Sequence, residues 1–138
     1  MKILTFYLFD VGVTPRPSGM ALHTQLPIYK VTYNLLALAT KLTANMHRDF
    51  KRSLGDDLRK DCVTLSRLVY RANAACNKVP HLEALIETLQ VVELTFRLSV
   101  DMRLISQGQY ASAIDLTGQI GKQAQGWKRH TLSASPAA

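Results

Sequence analysis

Four cations, Lys60, Arg67, Arg71 and Lys78, are spaced 7, 4 and 7 along the chain. At about 100° per residue they lie within about 20° of one line on a helix. Over about 1.5 Å of rise per residue they make a ridge about 27 Å long. Long cationic side chains so arranged suit the successive phosphates of a nucleic acid, whose condensed counterions they would release. Lys51 and Arg52 carry basic character up to the ridge, and Arg59 lies on its flank. Two other uses stand beside polyanion binding. Glu83, Glu87 and Asp101 share one polar face of a later helix, with Arg97 nearby. The ridge of one copy could pair with that face on another copy, or the charges could simply be solvated.

Catalytic and metal chemistry is harder to place. The histidines, His23, His47, His81 and His130, never follow a Glu at the third position, and none pairs with another at helical spacing. A di-metal bundle site needs such Glu-x-x-His repeats. Glu83 and Glu87 are one turn apart and read as a solvated acidic face. Asp56 and Asp57 are adjacent, so on a helix they point in different directions and serve better in its first turn. Ser66, Ser99 and Ser106 have no histidine in a legible arrangement. Phosphate-loop, dinucleotide, Cys-x-x-Cys and nucleophile-elbow motifs are absent. The expectation is a non-enzymatic protein with neither metal nor cofactor.

The ridge needs a helix to carry it, and four are legible. Pro27 suits a first helical turn. Ile28, Val31, Leu35, Leu38 and Leu42 then form one stripe, free of Gly and Pro as far as Met46. Gly55 with Asp56 and Asp57 reads as a break and a new start. Leu58, Cys62, Leu65, Val69, Ala72 and Cys76 form the second stripe, opposite the cations and ending near Asn77. The third helix starts near Pro80 and carries two stripes, and Gly108 is expected to close it. The first stripe is Leu82, Leu85, Leu89, Val92 and Phe96, and the second is Val91, Leu94, Leu98, Met102 and Ile105. Such breadth implies a central helix or an oligomer interface. Tyr110, Ala113, Thr117, Ile120, Ala124 and Trp127 form the fourth stripe. Gly118, Gly121 and Gly126 each weaken that helix by about 1 kcal/mol relative to Ala, which suggests close approach to a neighbour. The expected fold is all-α, an antiparallel up-down-up-down four-helix bundle. Cys62 and Cys76 lie about 21 Å apart on one helix, too far for a disulfide. They read as reduced core cysteines, which fits the cytoplasm.

Composition agrees. The chain has 138 residues and a formal net charge of +7, which suits one domain with a basic surface. Apolar residues at 47% are too many for a disordered chain. No apolar run reaches the roughly 18 residues of a membrane span. The charge is uneven: net +3 over residues 1–44, +4 over 45–78, −3 over 79–121 and +3 over 122–138. Residues 1–26 form an extension whose run from Ile3 to Phe9 is rich in strand formers, cut by Asp10 and then by Pro15 and Pro17. No cleavage site follows, so a signal peptide is disfavoured. An upstream segment ahead of a start at Met20, or a docking arm, are the remaining readings. The bundle is expected over residues 27–130, and a small polar tail over 131–138 is expected to be disordered.

Several short segments are shared, in order and spacing, with a known family. Leu26-Pro27-Ile28-Tyr29 opens the first helix. Arg48 precedes Lys51-Arg52-Ser53-Leu54-Gly55-Asp56-Asp57-Leu58, and Tyr70-Arg71-Ala72-Asn73 closes the second helix. Ile120-Gly121-Lys122 and Gly126-Trp127 lie in the fourth. Together these resemble the four-helix-bundle family of diversity-generating retroelement accessory variability proteins and ribosomal RNA intervening-sequence proteins. The resemblance covers about residues 26–130. It implies a ring-like homo-pentamer with a basic surface, associating in retroelements with a reverse transcriptase and nucleic acid. Arg48, Lys51, Arg52 and Arg71 match the family's basic positions, and Leu54 and Gly55 match its turn into the second helix. One position departs: the family pattern has Pro before the Arg, and His47 stands here. The candidate nucleic-acid-binding set is therefore Arg48, Lys51, Arg52, Lys60, Arg67, Arg71 and Lys78. The expected partners are further copies of the chain, nucleic acid and a reverse transcriptase. The alternative is a structural oligomer of the intervening-sequence type, whose charge ridges only pair subunits.

Overall fold

A computed structural model describes residues 22–134; the strand-forming run Ile3–Phe9 and the segment 135–138 lie outside the described residues. Four helices carry the stripes: α1 (Pro27–Ala44), α2 (Asp56–Ala74), α3 (Val79–Asp101) and α4 (Gln107–Ala134). A short 3₁₀ turn, His23–Gln25, precedes α1. Among the described residues there is no strand. Helix α1 packs on α2 and α4, α2 on α3, and α3 on α4, so each helix has two principal neighbours around one core.

Spacing explains which faces meet. Leu35 of α1, Leu58, Leu65 and Val69 of α2, Leu82, Leu85 and Phe96 of α3, and Ile120 of α4 are fully buried. Each is a member of the stripe expected from its helix. Five hydroxyls are buried among them: Thr32, Thr43, Thr95, Ser99 and Thr117. Each donates to a carbonyl three or four residues earlier in its own helix, as Ser99 does to Thr95 O at 2.8 Å. That back-bonding satisfies a buried donor without a partner elsewhere.

The helix ends depart from expectation in three places. Helix α2 stops at Ala74 rather than near Asn77, because Ala75 turns to an extended conformation. Cys76 is consequently exposed and not a core residue, while Cys62 is buried as expected. Helix α3 stops at Asp101, well before Gly108, which lies in the first turn of α4. The stop is a Schellman arrangement: Leu104 N donates to Ser99 O at 2.8 Å and Arg103 N to Val100 O at 3.0 Å. Its left-handed position, φ 61°, is held by Arg103 rather than by the usual glycine. At the other end α4 continues to Ala134, so residues 131–134 are helical and not a disordered tail.

The glycines of α4 divide by what surrounds them. A Cβ on Gly121 would stand 3.3 Å from Leu89 Cδ2 of α3, so this position does mark a close helix approach. A Cβ on Gly118 would meet nothing within 4 Å. Gly118→Ala should therefore stabilise the protein by about 1 kcal/mol in urea unfolding. Gly121→Ala should gain less, because the Leu89 methyl must move. The cysteines give a second expectation. Burial, and then the neighbouring Asp61 charge, push the Cys62 thiol up to about 12. In a thiol titration near pH 8, Cys76 should react at once and Cys62 only after unfolding.

Candidate nucleic-acid interface

The ridge rests on one constraint. With Leu58, Cys62, Leu65, Val69 and Ala72 turned into the core, the opposite line of α2 must face solvent. Lys60, Arg67 and Arg71 occupy that line and are exposed. They are separated by 7 and 4 residues, so the ridge they form is about 16 Å long. No ion pair within the described residues engages them. Arg59, on the flank, is different: it is half-buried, pairs with Asp56 and donates to Thr43 Oγ1 across the seam with α1.

Lys78 does not join the ridge. Beyond the early end of α2 it folds back, and its Nζ donates to the carbonyls of Ala72, Asn73 and Ala75 at 3.0, 3.1 and 3.0 Å. Those carbonyls lie at and just past the C-terminal end of the helix, where a cation meets the negative end of the helix dipole. Lys78 is a C-terminal cap, so the expected fourth member of the site is withdrawn. The 7-4-7 spacing was measured along a helix that has ended before the last cation.

Upstream, Gly55 does not break the helix, contrary to the expectation from its residue type. A single helical turn, Arg48–Phe50, runs into a π-helical turn, Lys51–Gly55, and then without interruption into α2. Asp56 N donates to Lys51 O, five residues back. Gly55 is helical and buried, and a Cβ there would stand 3.3 Å from Thr43 Cβ of α1. Its lack of a side chain lets the turn lie against α1.

The π turn also sets the phase of the basic flank. In an unbroken α-helix Lys51, nine residues before Lys60, would lie about 180° from the ridge, in line with the core stripe. A π turn advances by roughly 80° per residue rather than about 100°, which over five residues rotates the flank by about 90°. Lys51 is accordingly half-buried at the side, and Arg52 is exposed near the ridge line. Arg48 is exposed one turn earlier. His47 starts this segment with φ −53°, close to what a proline ring would fix, and its Nδ1 accepts from Asp49 N at 3.2 Å. His47 thus supplies a proline-like backbone angle and a side-chain cap besides.

Beside the ridge, between α1 and α2, runs an open groove of about 730 Å³. Leu36 and Thr40 line it from α1, and Lys60, Val63 and Arg67 from α2. Two large aromatics near it, Tyr33 and Tyr70, are 58% and 53% exposed. Neither belongs to an apolar stripe. The signal was present, since each is an aromatic off its helix's apolar stripe, but it carries meaning only once the groove is known.

The acidic face proposed as the ridge's rival is partly engaged within the protomer. Glu83 pairs with Lys128 of α4 at 3.2 Å, and Asp101 pairs with Arg97 of its own helix at 3.1 Å. On the same helix Val91, Leu94 and Leu98, with Met102 at its C-terminal cap, are 42–67% exposed, while Ile105, in the link that follows, is buried. Helix α3 is therefore not central in the protomer. No helix among the described residues is long and apolar enough to cross a membrane. No cluster of three metal-ligating side chains occurs among them. Comparison of the chain with protein-family models, with curated proteins and with solved structures finds no match.

Lys78→Gln separates the cap from the ridge. It should cost about 1 kcal/mol in urea unfolding through the lost carbonyl contacts. It should leave the affinity for nucleic acid unchanged.

Proposed function

We propose that the protein is a non-enzymatic, self-associating adaptor that holds nucleic acid through the phosphate backbone along α2. The observation that carries the reading is the row of exposed cations Arg52, Lys60, Arg67 and Arg71, none of them engaged by an acid of the described chain. Arg48 and Lys51 extend it. Such a row pays the cost of mutual repulsion, and a polyanion relieves that repulsion by replacing condensed counterions. Phosphate contacts position a nucleic acid without reading its sequence. The rival, a ridge that only pairs subunits, is weakened because Glu83 and Asp101 already have partners in the protomer.

Self-association is assigned instead to the exposed row Val91, Leu94 and Leu98 of α3 with Met102 at its cap, which extends for about 16 Å. A contiguous apolar row of this kind marks an interaction surface. Short links between successively packed helices support the antiparallel up-down-up-down topology. A ring-like pentamer and a reverse transcriptase as protein partner complete the reading that the family resemblance implies. A cytoplasmic location accords with the thiols, since Cys62 and Cys76 are both free.

The test is the triple variant Lys60→Gln, Arg67→Gln and Arg71→Gln, which leaves the Lys78 cap in place. Binding of a mixed-sequence nucleic acid should weaken steeply with salt. The slope of log affinity against log salt should drop by about 2 to 3 in the variant, at about 0.7–0.9 per lost phosphate contact. Sedimentation should find its oligomeric state unchanged. Dissociation of the oligomer with unaltered nucleic-acid affinity would assign the ridge to subunit pairing instead.

A further inference from the structure

The adaptor reading leaves two aromatics unused. Tyr33 and Tyr70 are more than half exposed. Exposed aromatic rings beside a cationic row combine a stacking face with charges that suit phosphates.

Their positions are fixed by the groove. On α1, Tyr33, Leu36 and Thr40 follow one helical line at spacings of 3 and 4; on α2, Lys60, Val63, Arg67 and Tyr70 do so at 3, 4 and 3. Leu36, Thr40, Lys60, Val63 and Arg67 line the groove, so Tyr33 and Tyr70 prolong its two walls. They do so at the same end. The seam pairs Arg59 with Thr43 and Ser66 with Thr32, so residue numbers rise along α2 as they fall along α1. Tyr33 adjoins Thr32, and Tyr70 lies one turn beyond Ser66. Tyr70 is also held in place: the His23 ring meets it edge-to-face at 4.9 Å, and meets Tyr29 at 5.5 Å.

We propose that this face takes single-stranded nucleic acid, with unpaired bases stacked on Tyr33 and Tyr70 and the backbone running along Lys60, Arg67 and Arg71. The proposal rests on the adaptor reading and narrows it. A duplex hides its base faces within its own stack and would leave both rings uncovered. A single strand offers base faces and phosphates together, which is the pairing this groove presents. Stacking tolerates every base, so sequence preference stays weak.

The test compares a mixed-sequence 20-nucleotide RNA, the same sequence as DNA, and the corresponding duplexes, by fluorescence anisotropy. The full chain should bind at least one of the single strands about tenfold or more tighter than its duplex. Tyr33→Ala with Tyr70→Ala should lower single-strand affinity about tenfold or more and bring it near the duplex value. Tyr33→Phe with Tyr70→Phe should keep the affinity, since stacking needs the ring and not the hydroxyl. Circular dichroism should report all variants folded, because both residues are at the surface. Equal wild-type affinity for strand and duplex, an unaffected alanine pair, or loss in the phenylalanine pair would each overturn the stacking proposal. If the ridge variant still loses binding in those cases, the adaptor reading stands without it. Absence of binding to every probe at 50 mM salt would overturn both.

Discussion

The apolar line of α2 from Leu58 to Ala72 has to face the core, and that requirement decides where the ridge cations stand. A helix with one wall committed to packing has no freedom over what the opposite wall presents. Lys60, Arg67 and Arg71 are outside because Leu58, Leu65 and Val69 are inside. Burying these side chains contributes roughly 1.5–3 kcal/mol each, whereas exposed like charges on a helix cost a few tenths. Packing wins that contest easily, and the repulsion left along the ridge is what a polyanion would relieve.

The seam between α1 and α2 carries the rest of the site. Gly55 lets the π turn lie on Thr43, and Arg59, tied to Asp56 and to Thr43, fixes the level at which the two helices pass. That level decides that Tyr33 and Tyr70 end up at one end of a common groove. The π turn meanwhile sets the rotation of Arg52 relative to Lys60. Two local features, a missing Cβ and one residue's worth of slack in a helical turn, thus place side chains that are distant in sequence.

Helix α3 presents a different balance. Its first stripe is fully committed to the core, and its second is left in solvent from Val91 to Met102. Two of its acids, Glu83 and Asp101, are drawn into pairs with Lys128 and Arg97, which lie at the surface and add little stability. Their consequence is for partners rather than for folding. A face whose charges are partly paired and whose apolar row is open is better suited to another apolar surface than to the cationic ridge.

The stripes, their helices and the exposure of three ridge cations were legible in the sequence, because burial acts on a fixed helical period and the period is visible in residue types. Helix ends were not. Lys78 and Cys76 were placed by extrapolating that period past Ala74, where the helix has already ended. The stop at Asp101 uses Arg103 in a left-handed conformation, for which the sequence offers no glycine as a signal. Gly55 has the residue type of a break but serves packing. Tyr33 and Tyr70 stood off their stripes as unexplained aromatics. Only the level at which α1 and α2 pass brings them to the same end of that seam. Periodicity is a property of one helix at a time, whereas caps, phase shifts and grooves arise where chain segments meet, and only the tertiary structure decides those meetings.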